Sequence, residues 1–156
     1  CKVLDTRKTT PGLRTLQQYA VRMGGGTNHR IGLYDAALVK DNHIEATGSI
    51  AEAVKAVRRH APFMAKVEVE AGNLKQVQEA IDAGADVIML DNMNYAQMAE
   101  AVQLVNKRAG VEASGGITLE TIRQVAETGV DYISSGALTH SAPVVDFNMK
   151  ITMNVG

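Results

Sequence analysis

The feature that most constrains the fold is an alternation of short apolar segments with segments of helical period. Strands are predicted to start near residues 1, 36, 65, 86, 110, 131 and 145. Helices are predicted between them, and the first of these starts at Ser49, where Glu52 completes a capping box. Short connections between alternating strands and helices indicate βα units and a parallel sheet. We therefore expect one α/β domain over residues 1–156.

The number and spacing of the units favour a barrel. Seven predicted strands in 156 residues are fewer than the eight of a complete α/β barrel. Their close spacing favours an arc of units over an open sheet with a switch point. We expect an open or incomplete parallel α/β barrel of the TIM type with about seven strands, the last at residues 145–151. A doubly wound sheet is the alternative.

Three further helix starts are predicted along the chain. Asn73, Asn94 and Thr118 each precede a segment in which apolar residues recur at helical spacing. Tyr95 and Leu119 belong to these apolar faces, so we expect both side chains to point inward.

Composition and charge exclude several classes of protein. A net charge of −1 and an aromatic content of 4% disfavour a nucleic-acid partner. Residues 87–90, among the longest apolar runs, are too short to span a bilayer, so no membrane partner is expected. The single cysteine, Cys1, excludes an internal disulfide framework and fits a reducing cytosol, so we expect a cytoplasmic protein.

Charge is unevenly distributed along the chain. Residues 1–40 carry seven basic and two acidic side chains, while the other 116 residues carry nine basic and fifteen acidic ones. A local anion site is one explanation of this excess, but charge counting alone slightly favours chance on a solvated surface.

Polar residues or glycines follow every predicted strand up to residue 137. They occupy residues 5–10, 40–43, 68–70, 91–92, 114–116 and 135–137. The carboxyl ends of barrel strands form the active site in such folds. The glycines of the last two segments favour a phosphate site, because backbone N–H groups can approach an anion there, although tight turns explain either loop alone.

Cations and carboxylates at these strand ends are candidate binding groups. Arg7, Arg30 and Lys40 are suited to carboxylate anions, although most single arginines and lysines lie on the surface. Glu70 and Asp91 end neighbouring strands and can hold sugar hydroxyls or Mg²⁺, or can simply be solvated. Glu68 lies on the same face as Glu70, but Glu70 is nearer the loop and is preferred.

Seven segments together resemble the quinolinate phosphoribosyltransferases, the decarboxylating enzymes of NAD synthesis. The segments are LDTRKTTPGLR at 4–14, GGGTNHRIGL at 24–33, KDNHI at 40–44, VEVE at 67–70, IMLDN at 88–92, SGGI at 114–117 and SGALTH at 135–140. The resemblance covers essentially the whole chain in order. The catalytic domain of that family is an open α/β barrel, in agreement with the pattern of strands and helices.

The resemblance implies a role for each candidate residue. Quinolinate would bind Thr6, Arg7, His29, Arg30 and Lys40. The donor 5-phosphoribosyl 1-pyrophosphate (PRPP) would bind Lys8, Glu70, Asp91, Ser114, Gly115, Gly136 and His140. The catalytic residues would be Arg7, Lys8, Lys40, Glu70 and Asp91. Mg²⁺ is the implied cofactor, with Glu70 and Asp91 contacting it directly or through water.

The implied reaction transfers the phosphoribosyl group of PRPP to quinolinate with decarboxylation. Its products would be nicotinate mononucleotide, pyrophosphate and CO₂. One alternative is a barrel fragment that binds these ligands without turnover. The other is a related phosphoribosyltransferase that uses a different pyridine carboxylate, such as nicotinate.

The resemblance also implies a homodimer or larger assembly. The family carries an N-terminal domain before the barrel, which closes the site of a partner subunit and adds an arginine to it. We expect the present chain to lack that domain and to have weak or no turnover alone.

Overall fold

A computed structural model describes residues 1–153 and contains one parallel sheet flanked by helices. The strands are β1 (Lys2–Leu4), β2 (Ala36–Val39), β3 (Lys66–Ala71), β4 (Val87–Asp91), β5 (Gly110–Ser114) and β6 (Tyr132–Ser134). The helices are α1 (Arg14–Met23), α2 (Asp41–Thr47), α3 (Ile50–His60), α4 (Leu74–Asp82), α5 (Tyr95–Val105), α6 (Ile122–Glu127) and α7 (Ala137–His140). The expected α/β architecture is confirmed.

The six strands run in the order β1-β6-β5-β4-β3-β2, and every pairing is parallel. The strands β1 and β2 form the two edges, so the sheet is open at this point. Thr27 makes an isolated bridge to Leu4, which places the segment after α1 beside the first edge. The fold is consequently an open barrel, and the doubly wound alternative is wrong.

The core lies on the inner strands and the helices that cover them. Ile88 and Leu90 on β4 are fully buried, as are Val67 and Val69 on β3. A strand buried on both faces is apolar almost throughout, as β4 is over residues 87–90, whereas β3 alternates valine with glutamate because its glutamate face borders the site. Val77 on α4 packs into the same core. This buried platform holds the carboxyl ends of the strands in fixed positions.

The prediction of a seventh strand at residues 145–151 is wrong. Residues 141–153 form neither helix nor strand in the described structure. Val144 and Phe147 on this segment are 95% and 87% exposed. A β-rich composition forms a strand only when a neighbouring strand offers backbone partners, and this segment pairs with neither edge of the sheet.

The helix expected after Thr118 starts later than its sequence pattern indicates. Thr118 lies in a turn, where its backbone N–H donates to Thr121 Oγ1 at 2.9 Å, and α6 begins only at Ile122. Leu119 therefore points into solvent. Tyr95, at the first position of α5, is also exposed, so both inward assignments are wrong.

Two of the helices that the pattern did not predict border the candidate site. The apolar side chains Leu16 and Met23 of α1 are exposed, and Gln18 is the buried residue of that helix. Leu16 and Met23 do recur at helical spacing and mark an amphipathic helix, a signal that the sequence interpretation did not use. The short α2 starts after Lys40, whose backbone N–H donates to His43 Nδ1.

No helix within residues 1–153 combines the length and apolar character needed to cross a bilayer.

Candidate active site

A cleft of about 430 Å³ opens at the carboxyl ends of the strands. Its walls are formed by Thr6, Arg7, Lys8, His29, Arg30, Leu38, Lys40, Glu70, Met89, Asp91, Glu112, Ser114 and Ser134. Nine of these residues were predicted from the sequence, and the parallel sheet brings them together because successive strands end on the same side.

Three predicted residues lie outside the cleft wall. Gly136 and His140 are next to it, since a β-carbon at position 136 would stand 3.5 Å from Lys8 Cδ and 2.6 Å from His140 Nε2. Gly115 instead lines a neighbouring cavity with Met93. The glycine loops therefore border the cleft on the side of Lys8 and Ser114.

Arg7 and Arg30 make one end of the cleft electropositive. Arg7 Nε is buried and has no hydrogen-bond partner among the described residues. Burial and the charge of Arg7 lower the pKa of Arg30 below its ordinary value. Two guanidinium groups that repel each other in a partly buried space favour binding of an anion between them.

Lys40 and Glu70 form an ion pair across the cleft, with Lys40 Nζ 2.6 Å from Glu70 Oε2. Lys40 directly follows β2 and is half exposed, whereas the Glu70 side chain on β3 is 16% exposed. The pair fixes Glu70 on the wall while leaving the ammonium group at the opening.

Asp91 at the end of β4 is oriented by the next residue. Asn92 Nδ2 donates to Asp91 Oδ2 at 2.9 Å, and the Asn92 backbone N–H donates to the Ser114 carbonyl at 3.0 Å. Asn92 has a φ of +53°, which asparagine tolerates better than most residues. The Asn92 side chain occupies the space that a β-carbon at Gly115 would need, and Gly115 itself has a φ of +103°.

His29 is held between two buried carboxylates at the floor of the cleft. Its Nε2 lies 3.0 Å from Glu68 Oε2 and 3.3 Å from Glu112 Oε2. Burial disfavours a charged ring, but the hydrogen bonds of Glu112 and Glu68 outweigh it and raise the pKa of His29 to about 10. Burial raises the pKa of Glu68. The three groups thus hold a proton among them at neutral pH.

The hydrogen bonds of His29 orient its ring. The backbone N–H of Arg30 donates to His29 Nδ1 at 2.7 Å. His29 Nε2 carries the proton that faces Glu68 and Glu112. The three side chains could approach one metal ion, but an imidazole that binds metal through Nε2 carries its proton on Nδ1. The observed hydrogen bonds oppose a metal here.

Glu112 and Asp5 are the site residues that the sequence interpretation missed, and Glu68 was set aside in favour of Glu70. Glu68 and Glu112 are each flanked on both sides by buried apolar residues of their strands, and this was the available signal. Asp5 is fully buried and accepts from Asn28 Nδ2 and from the His29 backbone N–H. It anchors the segment that carries His29 and Arg30.

Comparison with known proteins identifies one family. The family model described as "Quinolinate phosphoribosyl transferase, C-terminal domain" matches residues 1–150. A protein of Bacillus subtilis (strain 168) named "Probable nicotinate-nucleotide pyrophosphorylase [carboxylating]" is 53% identical over 153 residues, covering 98% of this chain and 53% of the relative. A protein of the same name from Synechocystis is 51% identical over 156 residues, with the same coverage.

Comparison with solved structures identifies proteins of the same kind. The crystal structure of NadC from Streptococcus pyogenes superimposes with a TM-score of 0.91 at 52% identity, covering 96% of this chain and 52% of that one. Thiamine phosphate pyrophosphorylase from Pyrococcus furiosus is 16% identical with a TM-score of 0.62, and this likeness shows the fold alone. The chain spans about half the length of the curated relatives it matches.

Proposed function

Because the chain belongs to the quinolinate phosphoribosyl transferase C-terminal domain family, we propose that it is the catalytic part of a phosphoribosyltransferase. The enzyme transfers the phosphoribosyl group of PRPP to quinolinate with decarboxylation and forms nicotinate mononucleotide, a step of NAD synthesis. The observation that carries the proposal is the single cleft whose wall combines Arg7, Arg30 and Lys40 with Asp91. Such a cleft suits an acidic acceptor and a polyanionic sugar donor.

The electropositive end binds quinolinate. The two carboxylates of quinolinate interact with Arg7 and Arg30, whose guanidinium groups match carboxylates in geometry. Lys40 and the Thr6 hydroxyl complete this pocket. His29 supports it from the floor, where its hydrogen bonds fix the backbone of Arg30.

PRPP binds in the adjoining part of the cleft, the donor end, which meets the quinolinate pocket at the Lys40–Glu70 ion pair. The ribose hydroxyls donate to the carboxylates of Glu70 and Asp91, and Lys8 neutralises phosphate charge. The 5′-phosphate lies against the backbone of two strand-end loops. Those loops contain Ser114, Gly115, Gly136 and His140.

Mg²⁺ fits the donor end on the chemistry of its residues. Glu70 and Asp91 present carboxylate oxygens, the ligands that Mg²⁺ prefers, and they would hold the ion directly or through water. When bound to the pyrophosphate of PRPP, Mg²⁺ neutralises negative charge that builds up as this group departs.

The reaction proceeds through positioning and charge stabilisation. The pyridine nitrogen forms a bond to ribose C1 while the bond from C1 to the pyrophosphate oxygen breaks. The ring is then cationic, so the C2 carboxylate leaves as CO₂ and its bonding electron pair remains on C2, which takes up a proton. Arg7, Arg30 and Lys40 hold the carboxylates, and the carboxylates of Glu70 and Asp91 face the developing positive charge on the sugar.

We also propose that the working enzyme is a homodimer or larger, located in the cytoplasm. Leu16 and Met23 on α1 expose two large apolar side chains on one helix face, and such faces favour association. Light scattering tests the assembly, and cell fractionation tests the location.

Formation of nicotinate mononucleotide from quinolinate, PRPP and Mg²⁺ tests the function. We expect Arg7→Ala to lower kcat/KM at least about a hundredfold, since it removes a cation from the acceptor pocket. Arg59→Ala, an exposed arginine on α3, is the matched control and should retain full activity. If the chain binds both ligands but forms no product, it is a binding fragment. If it binds neither, the proposal is wrong.

A further inference from the structure

We propose that Thr139 is a positioning residue that fixes Lys8 against the loop at Gly136. The contact between Thr139 and Lys8, called the clamp below, sets the distance between the Lys8 ammonium group and the backbone of the Gly136 loop, which is proposed to bind phosphate. The inference rests on the proposed function, since it assigns Lys8 and this loop to the same phosphoribosyl donor.

The Thr139 hydroxyl joins two parts of the chain that are 131 residues apart. Thr139 is 2% exposed, and its Oγ1 lies 2.7 Å from the Lys8 carbonyl oxygen. The Gly136 carbonyl is also in reach at 3.1 Å, but it already accepts from the Thr139 backbone N–H. The single hydroxyl proton is therefore available to Lys8.

The same residue is braced from its other side. Gln17 Nε2 on α1 donates to the Thr139 carbonyl at 2.6 Å and to Thr10 Oγ1 at 3.0 Å. Gln17 Oε1 accepts from the Thr10 backbone N–H at 2.9 Å. Both ends of the segment 8–10 are thus tied to α7, one through Thr139 and one through Gln17.

Lys8 depends on these ties because it has no regular structure around it. The segment 6–10 lies beyond the end of β1 and belongs to no helix or strand. The Lys8 side chain passes close to Gly136, where a β-carbon would stand 3.5 Å from Lys8 Cδ. A shift of the Lys8 backbone would therefore move its ammonium group away from the glycine loop.

Thr139→Val removes the hydroxyl and keeps the shape of the side chain. It leaves the partly buried Lys8 carbonyl without its Thr139 partner, so we expect the KM for PRPP to rise about tenfold. The KM for quinolinate should change less than about twofold, because Arg7 and Arg30 are held by other contacts. Thr139→Ser keeps the hydroxyl and should restore the KM for PRPP.

Thr128→Val is the matched control. The Thr128 hydroxyl donates to the Val125 carbonyl at 2.6 Å three residues earlier, the same spacing that separates Thr139 from Gly136, but it lies at the end of α6 away from the cleft. This variant should leave both KM values unchanged. Gln17→Met removes the brace at a partly exposed position and should raise the KM for PRPP in the same direction, even if Thr139→Val does not fold.

Calorimetry with ribose 5-phosphate separates this inference from the proposed function. Weaker binding by Thr139→Val than by the parent chain or Thr139→Ser supports the clamp, whether or not the parent chain turns over. Equal binding by all three overturns the clamp. Equal losses for PRPP and quinolinate, or a failure of serine to rescue, also overturn it. Absence of product in the parent chain contradicts the proposed function instead.

Discussion

The first 35 residues and the strands β2–β5 are held in place by different forces. Within residues 1–35, all of which the structure describes, Leu4 is the buried apolar side chain, whereas β4 buries Ile88, Met89 and Leu90 and β3 buries Val67, Val69 and Ala71. The first region is fixed by polar contacts through Asp5, Gln17 and Asp35. The buried apolar platform thus supports a polar segment that contains the candidate binding residues Arg7, Lys8 and Arg30.

This difference separates stability from function. Burial of apolar area is non-directional and sets most of the free energy of folding. Hydrogen bonds contribute less net free energy but fix direction, and leaving one buried partner unmade is costly. Substitutions in the platform should therefore unfold the protein, while substitutions in the first region should mainly move Arg7, Lys8 and Arg30.

The largest expected effect is in the platform. Ile88→Ala empties a fully buried position on β4 and should lower the free energy of unfolding by about 2–5 kcal/mol. Leu16→Ala, on the exposed face of α1, is the control in the other region and should change it by less than about 0.5 kcal/mol. Urea denaturation measures both. Similar losses would show that the two regions do not differ as described.

An intermediate effect is expected at Asp5. Asp5→Ala leaves the His29 backbone N–H unpaired in a buried site and should cost about 1–3 kcal/mol of unfolding free energy. It should also raise the KM for quinolinate, because the segment that carries Arg30 loses its anchor. Asp146→Ala on the exposed tail is the control. An unchanged KM for quinolinate in Asp5→Ala would contradict the anchoring role.

A smaller effect on stability is expected at Asn92, whose contribution is mainly orientation. Asn92→Gly keeps the backbone conformation at φ +53° and removes the amide that orients Asp91, so stability should hold while the KM for PRPP rises. Asn92→Ala should add a strain of about 1 kcal/mol. A steady-state assay and thermal unfolding separate the two effects. An unchanged KM for PRPP in both variants would contradict the role given to Asn92.

The smallest effect concerns pH. Burial slightly raises the pKa of Asp35, but hydrogen bonds from the backbone N–H groups of Ile31 and Gly32 outweigh it and lower that pKa below its ordinary value of 3.8. The stabilisation is therefore present above about pH 4 and is lost as the pH falls through the lowered pKa. Asp35→Asn should remove this part of the pH dependence. Unfolding curves measured at pH values from about 2 to 5 compare the free energy of unfolding of the parent chain with that of Asp35→Asn.

The difference between the regions also explains what the sequence could predict. The starts of the six strands follow from apolar runs and helix caps, and residues such as Ser49 and Asn94 cap helices as expected. The helix α1 carries a helical period in Leu16 and Met23 and could have been predicted. The anchoring role of Asp5 could not be predicted, because hydrogen bonds between distant residues leave no periodic pattern. The prediction of a strand at residues 145–151 is wrong for a related reason, since a high β-propensity does not supply a neighbouring strand to pair with.

Within the site, strand ends identified most of the cleft. Arg7, Lys40 and Asp91 were found because each follows an apolar run, and the parallel sheet places such positions together. Glu112 lies inside its strand instead of at the end, so the search at strand ends passed over it. Its burial beside His29 depends on how neighbouring strands are registered, and sequence alone does not give that register.

The central claim is that the cleft binds a pyridine with two neighbouring carboxylates. Calorimetry with quinolinate and with nicotinate, which has one carboxylate, tests it most directly. The account predicts that quinolinate binds at least about tenfold more tightly, and that Arg30→Ala removes most of this preference. Equal affinity for the two acids, or a preference that survives Arg30→Ala unchanged, would contradict it.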